Sequence, residues 1–124
     1  MSFELYKVLH LFGIFLMIAS LGANLGFAMN GGTKGDNRVR KLMGMGHGLG
    51  MIIILVTGFG MLAQLGIIAP AEWGGWVHAK ITIWFILGAA VALVFRGAAM
   101  SRALWVIVPI LATMAGWIAL TKPF

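Results

Sequence analysis

The chain has 124 residues, of which 61% are hydrophobic and only 10% are charged, and its mean hydropathy is +1.02. A soluble domain carries about 25% charged residues, so this composition excludes a soluble globular enzyme. The high hydrophobicity also excludes a disordered chain. Because the chain has no cysteine, disulfides, iron–sulfur clusters and covalently attached c-type haem are excluded as well. The composition predicts a membrane protein.

Long stretches with little or no charge predict four membrane-spanning helices. A helix needs about 20 residues to cross about 30 Å of hydrocarbon, and its backbone hydrogen bonds are satisfied internally. Transmembrane barrel strands are shorter and alternate polar with apolar residues, unlike these stretches. The predicted spans cover about residues 6–29, 42–66, 76–96 and 103–121. We expect an all-α, integral membrane, up-down four-helix bundle that forms a single transmembrane domain over residues 1–124.

Basic residues concentrate in the first and third connections between the predicted spans. These are Lys34, Arg38, Arg40, Lys41, Arg96 and Arg102. Because lysine and arginine favour the cytoplasmic side of a membrane, we expect both termini to lie outside, in the periplasm of a bacterial cell. The expected location is the bacterial inner (cytoplasmic) membrane, with membrane lipid as a partner. No basic stretch is interleaved with aromatic residues on a polar face, so nucleic acid is not an expected partner.

Polar and small residues recur at steps of three and four along the predicted spans, which puts each set on one helix face. The first span has His10, Gly13, Met17, Ser20 and Asn24, and the second has His47, Gly50, Ile54, Thr57, Met61 and Gln64. The third has His78, Ile81, Phe85, Gly88 and Ala92, and the fourth has Thr113 and Gly116. Because polar groups avoid hydrocarbon, we expect these faces to point to the bundle interior.

Histidines within or bordering three of the predicted spans are candidate metal ligands, because neutral imidazole commonly binds haem iron and copper. Gly44 and Gly50 lie one turn to either side of His47 and leave the room that a flat macrocycle needs. The alternative for these glycines is close packing of two helices. Gly13 lies one turn deeper than His10. His10 can also be a buried histidine bonded to a polar neighbour, and His78 an ordinary interfacial one.

The three histidines are expected at different depths in the membrane. His10 and His78 lie near the outer surface, whereas His47 lies towards the inner one, and some 15 Å separates His10 from His47 along the bilayer normal. Two axial nitrogens on one metal ion are only about 4 Å apart, given metal–nitrogen bonds of about 2 Å. His10 can therefore pair with His78, whereas His47 needs a separate ligand set, for which a methionine is available.

Several short segments together resemble the HemJ-type protoporphyrinogen IX oxidase family. They are Tyr6-Lys7-Val8-Leu9-His10, Trp76-Val77-His78-Ala79-Lys80, Pro109 and the terminal Lys122-Pro123-Phe124. The resemblance implies a bacterial inner-membrane four-helix protein of porphyrin biosynthesis that binds haem b, oxidises protoporphyrinogen and passes electrons to quinone. It also implies that His10 and Lys80 are key functional positions, with Lys80 as the catalytic one and His78 beside them. The chain is short for that family and would be a divergent relative.

The residues leave three classes of function open. The first is a haem b-binding membrane protein with electron-transfer or oxidoreductase activity. The second is copper handling, because Met43, His47 and Met51 share a helix face and thioether sulfur suits Cu(I). The third is a cofactor-free structural or accessory subunit of a larger membrane complex, since the chain has no paired carboxylates and no nucleophile–base arrangement. Exposed glycine pairs permit a homo-oligomer or a larger complex.

Overall fold

The computed structural model describes all 124 residues, and every regular element in it is helical. The helices are α1 (Phe3–Met29), α2 (Arg40–Gln64), α3 (Gly75–Ala90) and α4 (Ala98–Thr121), with short 3₁₀ turns at Pro70–Glu72 and Val91–Arg96. When the second turn is counted with α3, four helical segments are long and apolar enough to cross a membrane. The predicted all-α, four-helix architecture is confirmed.

Contacts between the helix ends place both termini at the same end of the bundle. The side-chain amide of Gln64 donates a hydrogen bond to the Met1 carbonyl at 3.0 Å, which joins the end of α2 to the start of α1. The Trp76 backbone N–H donates to the Phe124 oxygen at 3.1 Å, which joins the start of α3 to the chain end after α4. We call this the terminal end, and we call the opposite end, with the connections after α1 and α3, the basic end.

Two short connections close the basic end. In the connection between α1 and α2, the Asn37 side-chain amide donates to the Asn24 side-chain oxygen at 2.8 Å, and both residues are buried. The connection between α3 and α4 consists of the 3₁₀ turn Val91–Arg96 and Gly97, whose φ of 153° lies in a region that residues other than glycine rarely adopt. The Ser101 hydroxyl donates to the Val94 carbonyl across this turn. These hydrogen bonds hold the two helices that flank each connection in their relative positions.

Glycines allow α1 and α2 to pack against each other through their backbones. A Cβ atom on Gly50 would lie 2.7 Å from the Gly13 carbonyl oxygen and 2.8 Å from the Met17 backbone nitrogen. A Cβ on Gly13 would lie 2.9 Å from Cγ2 of Ile53. The partner helix therefore fills the space at Gly13 and Gly50. The expectation that Gly50 leaves room for a macrocycle is corrected, and close helix packing explains both Gly50 and Gly13, a predicted cofactor-binding residue.

The inward-facing residues match the sequence prediction on α1 and on most of α2, where Gln64 is exposed, but not on α3 and α4. On α1 and α2 the buried members of the predicted faces are Gly13, Met17, Ser20, Asn24, His47, Gly50 and Thr57. On α3, its following turn and α4 the buried residues are Val77, Ile83, Leu87, Ala90, Val94, Ser101, Leu104, Val108 and Ile118. His78, Phe85, Thr113 and Gly116 are exposed, so those two predicted faces are wrong. Both helices are apolar on all sides, and a few polar residues do not mark the inward face.

The apolar core lies among α1, α3 and α4, and Met51 is the member that α2 contributes. The Trp84 indole N–H donates to the Met51 carbonyl at 2.9 Å, which ties α3 to α2. A Cβ on Gly88 would lie 3.3 Å from the Met51 methyl carbon, so this side chain extends towards α3. Met51 therefore links α2 to the rest of the bundle.

Candidate cofactor-ligand site

The ring of His10 is held by α2 near the terminal end of the bundle. His10 is half-buried, and its Nδ1 lies 2.9 Å from the Thr57 hydroxyl oxygen. The Thr57 hydroxyl donates its own proton to the Ile53 carbonyl, one turn earlier in α2. Because a hydroxyl has a single proton and the Ile53 carbonyl takes it, we infer that Thr57 accepts from His10 and that Nδ1 carries the imidazole proton. In the neutral ring, the free lone pair is then on Nε2.

This hydrogen bond prepares Nε2 of His10 as a metal ligand. Histidines that bind metals usually donate their other ring N–H to an acceptor, which fixes both tautomer and orientation. The ring lies against α2 beside Gly58, where a Cβ would make an ordinary contact with the His10 Cε1 at 3.5 Å. Tyr6, one turn before His10, packs more closely on Gly60, where a Cβ would collide with the Tyr6 ring. The start of α1 is thus fitted closely to the last turns of α2.

Two lysines make the surroundings of His10 electropositive. Lys80 on α3 is half-buried, and its charge acts on the His10 ring. Lys122 lies within electrostatic range of Lys80, and its Nζ is 5.3 Å from the centre of the Trp76 ring. Lysines from two different segments thus meet at the terminal end. This arrangement favours a ligand that carries negative charge.

His78 lies apart from His10. Its side chain is exposed, and its ring centre is 5.7 Å from that of Trp73 in the connection between α2 and α3. Because His78 and Lys80 are two positions apart on a helix, their side chains leave it on different sides. The structure brings Lys80, rather than His78, towards His10. No contact between the two rings supports the pairing of His10 with His78, which stays a prediction.

The connection that carries Trp73 is braced by a carboxylate outside the helices. Glu72 accepts hydrogen bonds from the backbone N–H groups of Ile68 and Ala69, both at 3.0 Å. These bonds, that of Ala69 first, lower the pKa of Glu72 below its ordinary value. Glu72 is therefore engaged with its own connection.

His47 is buried in the half of α2 nearer the basic end. Its side chain is 4% exposed, and neither ring nitrogen has a hydrogen-bond partner. His47 precedes Thr57 by ten positions, about 15 Å along the helix, so His47 and His10 cannot share one metal ion. Gly44 and Gly48 have no atom within 4 Å of a Cβ position, although the His47 ring itself is enclosed.

No histidine lines either of two surface clefts. One cleft of about 270 Å³ lies on α4 beside Pro109, Ile110, Thr113 and Met114. Another of about 190 Å³ lies at the basic end, where Gly31 and Phe95 are among the lining residues. No group of three or more His, Cys, Asp or Glu side chains is placed to hold a metal ion. A cofactor at His10 would therefore rely on that ligand, on Lys80 and on the helix surfaces around them.

The acceptor role of Thr57 and the position of Lys122 are the features that sequence reasoning missed. Thr57 was expected on the inward face of α2, but without a partner. The signal was present in the sequence, because antiparallel spans place the start of the first helix beside the end of the second. The position of Lys122 depends on how the C-terminal segment folds against Trp76, which helical periodicity does not describe.

Comparisons with protein-family models, with curated proteins and with solved structures find no match to this chain.

Proposed function

We propose that the chain is a membrane haem b-binding redox protein with a role in electron transfer, similar to the HemJ-type protoporphyrinogen oxidases that its segments resemble. The observation that carries this proposal is the His10 ring held through Nδ1 by Thr57. Neutral imidazole with a bare nitrogen is a common axial ligand of haem iron. Neither His47 nor His78 has a ring nitrogen held by a hydrogen bond from another helix.

The residues around His10 would each have a defined part in such a site. Haem supplies one-electron chemistry when it is bound. His10 offers Nε2 to the iron, while Thr57 keeps the proton on Nδ1 and sets the orientation of the ring. Lys80 and Lys122 attract the carboxylate groups of an amphipathic ligand, and Lys80 is also the catalytic candidate. The apolar helix surfaces keep water away from the ring.

The membrane setting follows from the distribution of charge. The exposed cations of the basic end support a cytoplasmic location for that end, which leaves both termini in the periplasm. A bacterial inner membrane provides this orientation and a pool of quinone that accepts electrons. The four apolar helices support insertion in lipid. The haem ligand would then lie near the periplasmic surface.

Absorption spectra of the detergent-purified protein, first oxidised and then reduced with dithionite, test this function. We expect a Soret band in the wild type and sharper α and β bands after reduction. His10→Ala should lose most of the haem. His78→Ala is the matched control and should keep it, because His78 is exposed and packs on Trp73.

Two results would count against haem binding at His10. One is a colourless wild-type protein that copurifies stoichiometrically with a partner, which would favour the accessory subunit. The other is an equal haem content in the wild type and in His10→Ala.

A further inference from the structure

The imidazole of His47 is a buried polar group that haem binding at His10 does not use. His47 is 4% exposed, and both its Nδ1 and its Nε2 lack a partner. The other buried nitrogen without a partner, Nε1 of Trp73, lies in a connection at the terminal end. An unpartnered imidazole in an apolar interior is unfavourable, so it points to a ligand.

Two methionines lie one helical turn to either side of His47. Met43 and Met51 are its i−4 and i+4 neighbours, which share one face of α2 with it. Long side chains on a helix lean towards its N-terminus and cover the preceding turn. Met51 therefore covers the turn of His47, and His47 covers the turn of Met43. Met51 is 6% exposed and Met43 is half-buried, so the three side chains run from the core towards the basic end.

We propose that His47 and Met51 form a Cu(I) site that is independent of the haem ligand His10. Thioether sulfur is a soft ligand that selects Cu(I), and imidazole nitrogen also suits copper. Both donors are uncharged, and Cu(I) has a single charge, which limits the cost of placing the ion among apolar helices. The donor set contains none of the carboxylates that favour magnesium or calcium.

His47 and Met51 are buried, so the ion would reach them past the half-buried Met43, which lies nearer the basic end. No atom lies within 4 Å of the Cβ positions of Gly44 and Gly48 in this part of α2. Arg40 and Lys41 are exposed at that end and repel cations. Because this repulsion scales with the charge of the ion, it opposes Cu(II) more strongly than Cu(I).

Anaerobic titration of the purified, metal-free protein with Cu(I) tests the proposal. Bicinchoninate, a coloured competing chelator, gives the stoichiometry and the affinity. We expect one tightly bound Cu(I) per chain, with nitrogen and sulfur neighbours in its X-ray absorption spectrum. His47→Leu and Met51→Leu should each weaken binding at least tenfold.

Two control variants separate this site from other methionines and from the haem site. Met45→Leu should bind Cu(I) like the wild type, because Met45 is 69% exposed on another side of α2. His10→Ala should also bind like the wild type, so a failure of haem binding leaves this test intact. The proposal is overturned if the wild type takes no Cu(I) from the chelator. It is also overturned if a folded His47→Leu or Met51→Leu variant binds as tightly as the wild type.

Discussion

His10 and His47 both lie on inward faces of the paired helices α1 and α2, but their ring nitrogens meet different surroundings. The ring of His10 is half-buried and shares a hydrogen bond with Thr57, which leaves Nε2 as the free nitrogen. The ring of His47 is more deeply buried and has no partner at all. The two histidines show that burial alone does not determine which ring nitrogen of a histidine is free to bind a ligand. The hydrogen bond that a ring makes decides which nitrogen is available.

The largest expected effect comes from the helix crossing that lies between the two histidines. A Cβ on Gly50 would collide with backbone atoms of Gly13 and Met17, which cannot move independently. Gly50→Ala should therefore destabilise the protein by about 1–3 kcal/mol. The measurement is reversible unfolding in mixed detergent micelles.

Gly44→Ala is the matched control for Gly50, because nothing lies within 4 Å of its Cβ position. Alanine in a helix interior is favoured over glycine, so this variant should be unchanged or gain about 0.5–1 kcal/mol. Equal stability losses for Gly50→Ala and Gly44→Ala would contradict the close contact of α1 and α2 at Gly50.

The second prediction sharpens the comparison at His10. Thr57→Val keeps the shape of the side chain but removes the acceptor of the His10 N–H. If the proposed haem site is correct, the variant should bind haem about 10–100-fold more weakly, as for other partners of metal-bound histidines. Haem titration of the apoprotein measures this change.

Thr113→Val serves as the control for Thr57, since Thr113 is exposed on α4 and donates only to the Pro109 carbonyl. It should bind haem like the wild type. Thr57→Ser keeps a hydroxyl and should restore most of the affinity. If Thr57→Val binds haem with wild-type affinity, Thr57 does not orient the His10 ring.

The third prediction concerns His47 in the absence of metal. Replacing an unpartnered buried imidazole with an apolar side chain removes an unsatisfied group, so His47→Leu should be neutral or more stable, by up to about 1–3 kcal/mol. His10→Leu should instead lose about 0.5–1.5 kcal/mol with its hydrogen bond to Thr57. Micelle unfolding of both variants checks this contrast, and a stability loss larger in His47→Leu than in His10→Leu would reverse it.

The smallest effect is expected in the connection before α3. The Ala69 and Ile68 N–H groups lower the pKa of Glu72 from its ordinary 4.5. A lowered folded-state pKa means that this stabilisation is present above about pH 4.5 and is lost as the pH falls through the lower, folded value. The amide resonances of Ile68 and Ala69 should therefore titrate in that acidic range. Glu72→Gln should abolish the titration and Glu4→Gln should preserve it.

The sequence predicts the helices and the inward faces of α1 and α2, because steps of three and four connect polar residues from His10 to Asn24 and from His47 to Thr57. It does not predict the inward faces of α3 and α4, which are apolar on every side. Their polar residues do not need to face inward: His78 is exposed, and the Thr113 hydroxyl donates to the Pro109 carbonyl of its own helix. The bond from His10 to Thr57 joins residues 47 positions apart, so it depends on the register between two helices.

Nitrogen NMR of the metal-free and haem-free protein, labelled with ¹⁵N-histidine, tests the central claim most directly. It reports which ring nitrogen carries the proton. For His10, we predict a proton on Nδ1 with a bare Nε2, and Thr57→Val should relax this preference. His47 should lack such a fixed preference. A wild-type His10 ring with its proton on Nε2 would contradict the account, because that nitrogen could not then bind iron without losing the proton.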